Sequence, residues 1–258
     1  THGPRLANPV EDAVAMAAAL ERLAFQSVTL LKNATLKTQG NALADFAQRA
    51  VGADMAVIYF AGHGMEVDGE NFLLPIDAEL DHVKRLKVET TRLSDVIDDV
   101  AVARRFRLVI LDACRDNPFR GRMRGLELTR SLGRGLASIE PQGNTLVAYA
   151  ARHGTQAKDG AAGGHSPYAN ALLKHLETPN VDVRIIFGRV RDDVLAMTDD
   201  MQEPHIYGTM GGQEVYLKSA ALVQGAATAA EESELVRELQ EERDWEKARL
   251  LLHAALQT

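Results

Sequence analysis

Cysteine is almost missing from this chain: Cys114 is the only one in 258 residues, so no internal disulfide can form. Nor is there a Cys/His set with zinc spacing. A solitary cysteine is either a small buried hydrophobe or a reactive thiol. Positive charge is also in deficit. Lys and Arg number 29 against 36 Asp and Glu, a net charge of −7. That argues against a nucleic-acid partner, which would call for a basic face. No apolar run approaches the length of a membrane span, and no signal-peptide pattern is present. The expectation is a cytoplasmic protein without a membrane partner. The N-terminus reads as an interior piece of a domain, however, and an upstream signal could have been lost.

What is present is ordinary globular material, 46% apolar and 25% charged, in a length that can bury one large core. Four short, continuous apolar runs stand at residues 28–31, 55–60, 108–111 and 145–149. Continuity suits parallel strands covered on both faces. Helical stripes separate them. Pro9 with Val10, Val14 and Ala17 marks one, and Leu43, Phe46, Ala47 and Ala50 a second. Leu93, Val96, Ile97 and Val100 give a third, and Ser166 before Pro167 reads as N-cap plus first helical residue of a fourth. Ile186, Val190, Val194 and Met197 complete the set. Strand and helix in alternation predict an α/β fold: an open, mostly parallel sheet with helices on both faces.

Two stretches break this rhythm. Residues 115–143 are rich in Arg and Gly without a sustained period, and connections of that length inside a domain are usually functional or mobile. Residues 219–230 form a small-residue linker. Beyond it, Trp245, Ala248, Leu251, Leu252 and Ala255 predict an amphipathic helix within 231–258.

Ligands of open α/β sheets bind beyond the carboxyl ends of the strands. The run 55–60 ends in Ala61, Gly62, His63 and Gly64, and the run 108–111 ends in Asp112, Ala113, Cys114 and Arg115. Parallel strands bring both ends to one rim, so His63 and Cys114 can meet. A thiol is only a few per cent thiolate near neutral pH, and an adjacent imidazole raises that fraction. The same imidazole can then protonate a leaving amine. The N–H groups of Gly64 and Cys114 could face a developing oxyanion.

These motifs carry a resemblance. Tyr59, Phe60, Ala61, Gly62, His63 and Gly64 resemble the histidine motif of caspases and metacaspases. Asp112, Ala113, Cys114, Arg115, Asp116, Asn117 and Pro118 resemble the cysteine motif of bacterial caspase-like peptidases, the orthocaspases. The separation, 114 − 63 = 51, is close to the roughly 50 residues between these motifs in caspases. Further similarity lies in residues 6–13, in 71–77, and in Asp159 and Gly160 leading to Ser166, Pro167 and Tyr168; it spans residues 5–218 in all.

The resemblance implies a caspase-like peptidase domain over residues 1–218, with a large-subunit part to about 118, an Arg-rich linker at 119–143 and a small-subunit part at 144–218. It implies Cys114 as nucleophile and His63 as its proton-transfer partner. It also implies Asp12 and Asp112 as acidic residues of the S1 pocket, which would favour protein or peptide substrates with Arg, less readily Lys, before the scissile bond. Asp112 could instead cap the following turn, and Asp12 could serve the dipole of the first helix. Arg122, Arg124, Arg130 and Arg134 become candidates for self-cleavage. No metal or other cofactor is expected. Calcium activates many metacaspases, and Asp68 and Asp77 are oxygen donors, but the paired acids such a site needs are not evident. A monomer is expected over a dimer paired at residues 214–217. His153, His165 and His205 read as surface or loop residues. An apolar first strand expected before Leu6 is missing. The alternatives are an inactive caspase-like scaffold and a relative with Asp or Asn specificity.

Overall fold

The computed structural model describes residues 5–114, 123–125, 136–137, 139, 141, 143–152 and 157–218. Helix α1 (Pro9–Arg22) opens on Pro9, whose missing N–H costs a first turn nothing. Helix α2 (Leu36–Ala50) is capped by Thr35, whose Oγ1 accepts the Thr38 N–H at 3.2 Å. Strand β1 (Met55–Val67) turns back into β2 (Glu70–Leu73). A short helix α3 (Leu86–Glu89), the two-residue strand β3 (Thr91–Arg92) and helix α4 (Leu93–Val100) follow. Then come β4 (Phe106–Cys114), β5 (Thr145–Tyr149), α5 (Pro167–His175), α6 (Val183–Thr198) and β6 (His205–Thr209).

The six strands form one open sheet in the order β3-β2-β1-β4-β5-β6. Its centre, β1-β4-β5, is parallel as expected, while β2, β3 and β6 pair antiparallel at the flanks. Strand β4 is buried on both faces, and its side chains alternate between two cores. Leu108 and Ile110 join Met16, Tyr168, Leu172, Val183 and Ile186 under α1, α5 and α6. Val109 and Leu111 join Leu93, Val96, Val100, Val147 and Tyr149 under α4. Fully burying one such aliphatic side chain contributes about 1.5–3 kcal/mol, and β5 does the same with Leu146 and Ala148 in one core and Val147 and Tyr149 in the other, so β4 and β5 together hold the two layers.

One expected strand does not form. Residues 28–31 carry no strand pairing, and Leu30 and Leu31 are each 38% exposed. Residues 55–61 of β1 pair with β4 on one flank only, and on the other no strand is found among the described residues. The run at 28–31 does not fill that flank. It is held instead by Arg49, which donates to Ser27 Oγ at 2.9 Å and Thr29 Oγ1 at 3.1 Å. The sheet edge likewise differs from expectation: β6 is the edge, whereas residues 214–217 form no strand and touch α6 through the Tyr216–Asp182 bridge. The first compact unit ends at Leu217, and the linker and C-terminal helix predicted beyond it lie outside the described residues.

Candidate active site

Strand β1 changes partner at His63. Up to that residue it runs parallel to β4, with Ala61 opposite Asp112, Gly62 opposite Ala113 and His63 opposite Cys114. From Gly64 onward it pairs with β2. Facing Cα atoms on adjacent strands sit about 5 Å apart. The backbones of His63 and Cys114 are therefore neighbours at the carboxyl rim of the sheet's centre. His63 is buried, with 8% of its surface exposed.

The backbone at Gly64 follows from one bond. The Leu74 N–H donates to the His63 carbonyl at 3.0 Å, which makes Gly64 and Leu73 a non-hydrogen-bonded pair. The Gly64 N–H thus faces away from β2, toward the β4 side. Its lack of a side chain has a packing cause as well. A Cβ there would stand 3.2 Å from Leu136 Cδ2 and 3.3 Å from Ala113 Cβ, on the face opposite His63.

Asp12 of α1 and Asp112 of β4, 100 positions apart, meet at Ser166. The Ser166 N–H donates to Asp12 Oδ2 at 3.4 Å, and Ser166 Oγ donates to Asp112 Oδ2 at 2.5 Å. The same Oγ accepts the Ala169 N–H at 2.8 Å and so caps α5. Tyr59 donates its hydroxyl to Asp112 Oδ2 at 3.1 Å, and His165 Nδ1 lies 2.6 Å from Asp12 Oδ1. Asp12 does stand in the first turn of α1, as its alternative reading has it, but its side-chain bonds and those of Asp112 are tertiary.

The electrostatics of this pair are unusual. Burial pushes Asp112 up to about 7, against the Ser166 and Tyr59 hydrogen bonds that favour its charged form; the charges of Asp12 and Asp159 add to the rise. Burial also raises Asp12, opposed by its bonds to His165 and Ser166. Burial and Asp112 hold the Tyr59 hydroxyl well above its ordinary range, so it remains a neutral donor. Buried carboxylates normally carry a cationic partner. Here no Lys or Arg among the described residues bonds either one.

The loop before α5 is fixed from the start of α1. Asn8 leaves the α1 N-cap bond unmade and is wholly buried. Its Nδ2 donates to the carbonyls of Asp159 at 2.6 Å and Ala161 at 2.9 Å, and its Oδ1 accepts the Gly163 N–H at 3.1 Å. Gly160 has φ +81°, and a Cβ there would lie 2.4 Å from the His165 carbonyl, so only glycine fits.

Sequence reasoning overlooked Tyr59 and His165. Tyr59 could have been found by period-two alternation, because it shares a face with Ala61 and His63. His165 sits in a loop as expected, but its imidazole is turned inward onto Asp12. Of the candidate cleavage positions, Arg122, Arg130 and Arg134 lie outside the described residues, as do Arg115 and His153. Arg124 is described: its N–H donates to the Asp81 carbonyl, its carbonyl accepts the Val83 N–H, and its guanidinium bonds Asp81 Oδ2 at 3.1 Å. Asp77 is engaged as a cap, its Oδ1 accepting the Leu36 N–H at 2.9 Å, while Asp68 occupies the β1–β2 turn. Among the described residues, no group of three His, Cys, Asp or Glu could hold a metal ion.

No curated protein matches the chain. The family model of the caspase domain matches residues 1–216, which contain the paired strand ends of His63 and Cys114 and the aspartate pair beside them. The chain belongs to the caspase domain family, a family of cysteine peptidases.

Proposed function

We propose that this protein is an endopeptidase that cuts after basic residues, Arg in preference to Lys, through Cys114 and His63. The observation that carries the specificity is the pair of buried carboxylates, Asp12 and Asp112, bridged by Ser166 two positions from the cysteine along β4. A guanidinium offers a fork of donors that two carboxylates can share, whereas an ammonium presents a single point charge. An aspartate side chain in the same pocket would meet like charge.

In this reading His63 takes the Cys114 proton, and the thiolate attacks the carbonyl carbon after the basic residue. Gly64 and Cys114 N–H groups bind the oxyanion. His63 returns its proton to the departing amine, and water then releases the acyl group from sulfur. No metal takes part. The Arg-rich linker is the first substrate, and cutting after Arg124 would require its backbone to leave the bridge it makes with residues 81–83.

Fluorogenic peptides ending in Arg, Lys, Asp and Asn, assayed with and without calcium, test the reading. Hydrolysis of Arg above Lys, without calcium, is expected; preference for Asp or Asn would overturn it, and silence on all four would favour a scaffold. Cys114→Ala should remain uncut, and a Cys114→Ala protein still cleaved in the linker after purification would refute self-processing.

A further inference from the structure

The two carboxylates of the pocket are not equally open to a ligand. Asp12 has a side chain only 2% exposed, and its oxygens face His165 Nδ1 at 2.6 Å and the Ser166 N–H at 3.4 Å. The His165 side chain is itself 31% exposed, so of the groups bonded to Asp12 it is the one that reaches solvent. Its backbone is pinned: Asn170 Nδ2 donates to the His165 carbonyl at 3.3 Å, Gly160 packs against that carbonyl, and Ser166 caps α5. Only the side chain is free to rotate.

We propose that His165 is a gate on the two-carboxylate pocket: its imidazole stands on Asp12 where the cationic group of a basic side chain is to bind, and swings outward when that group arrives. The imidazole is the one cation-forming group bonded to either carboxylate among the described residues. The ionisable groups around it are Asp12 on α1, Asp159 on the preceding loop, Asp112 and Tyr59 on the strands and Tyr168 on α5.

The inference rests on the basic-residue reading, and its test separates the two. Nα-acetyl-arginine methylamide is titrated against wild type, His165→Ala, His165→Gln and Asp12→Asn at pH 6 and pH 8 by calorimetry. His165→Ala should bind the probe more tightly than wild type, by up to about fivefold, the worth of a partly exposed polar contact. His165→Gln, which can still bond Asp12, should fall between the two. Asp12→Asn should weaken binding. Equal or weaker binding by His165→Ala at both pH values would mean that the imidazole supports the site, and would overturn the gate. Arg-peptide hydrolysis by wild type alongside that result would sink the gate alone. No hydrolysis and no probe binding by any variant would sink both.

Discussion

Replacing Asp112 with Asn should make the protein more stable at alkaline pH while removing its capacity for basic substrates. Asp112 is held at about 7 in the folded chain against 3.8 for the free group. A carboxyl raised on folding binds its proton more readily in the native state, so native stability falls as pH climbs between those values and then stays reduced. Linkage over that interval gives a penalty of roughly 0.5 kcal/mol at pH 4 that grows to about 4 kcal/mol at pH 8. Asn is nearly the same shape, and its oxygen can keep both the Ser166 and Tyr59 bonds. The variant escapes the growing penalty. For a domain of this size 1 kcal/mol shifts Tm by about 2–4 °C, so scanning calorimetry should show Asp112→Asn melting several degrees above wild type at pH 8 and close to it at pH 4. Arg-peptide kcat/KM should collapse at both. A variant that melts below wild type at pH 8, or by the same offset at both pH values, would refute the electrostatic account.

Ser166→Ala removes the α5 cap, at about 1 kcal/mol, and a hydrogen bond that lowers Asp112. Its Arg-peptide kcat/KM should lose activity at a higher pH than wild type as the solution is acidified, read from the acid limb of the profile. Gly160→Ala meets both the positive φ and the His165 carbonyl, and should lower stability by more than about 1 kcal/mol in denaturant titration. Asn71→Ala strips the Ala137 N–H of its partner and leaves the Ala137 carbonyl with the Tyr149 hydroxyl alone, at about 1–3 kcal/mol for the unpaired N–H, and should lower Tm with little change in pH dependence.

The central strands were legible because continuous apolar runs at 55–60, 108–111 and 145–149 have few other uses in an α/β chain. The helices were legible from their stripes, and the α5 start from Ser166 before Pro167. The flanking strands were not. Strand β2 is four residues long, β3 is two, and β6 is half-exposed, so each owes its existence to the neighbour it pairs with and not to its own pattern. Residues 28–31 show the converse, a strand-like run that joins no ladder. The site was half legible. The ends of β1 and β4 announce His63 and Cys114, and the resemblance suggested Asp12 and Asp112. Nothing local could say that Ser166 joins those aspartates, or that His165 turns inward. Both depend on Asn8 fastening a loop more than 150 positions away.

Asn71 and Leu136 give the linker a consequence for the molecule as a whole. Asn71 clasps Ala137 through both its backbone groups, and Leu136 is sunk in the core beside Gly64 and Ala113. All four candidate arginines precede this clasp. A chain severed at any of them would keep Leu136 seated, and β5 would still lie in register along β4. The nick would change covalent connectivity without dispersing the pieces: two bands under denaturing electrophoresis, one peak in native size exclusion. Unfolding, however, would turn from a unimolecular event into a dissociation. The melting temperature of the cut protein would then depend on its concentration, and refolding after denaturation would become a second-order encounter between two chains. Cleavage would cost the protein nothing while it stayed folded and much of its capacity to recover once it did not.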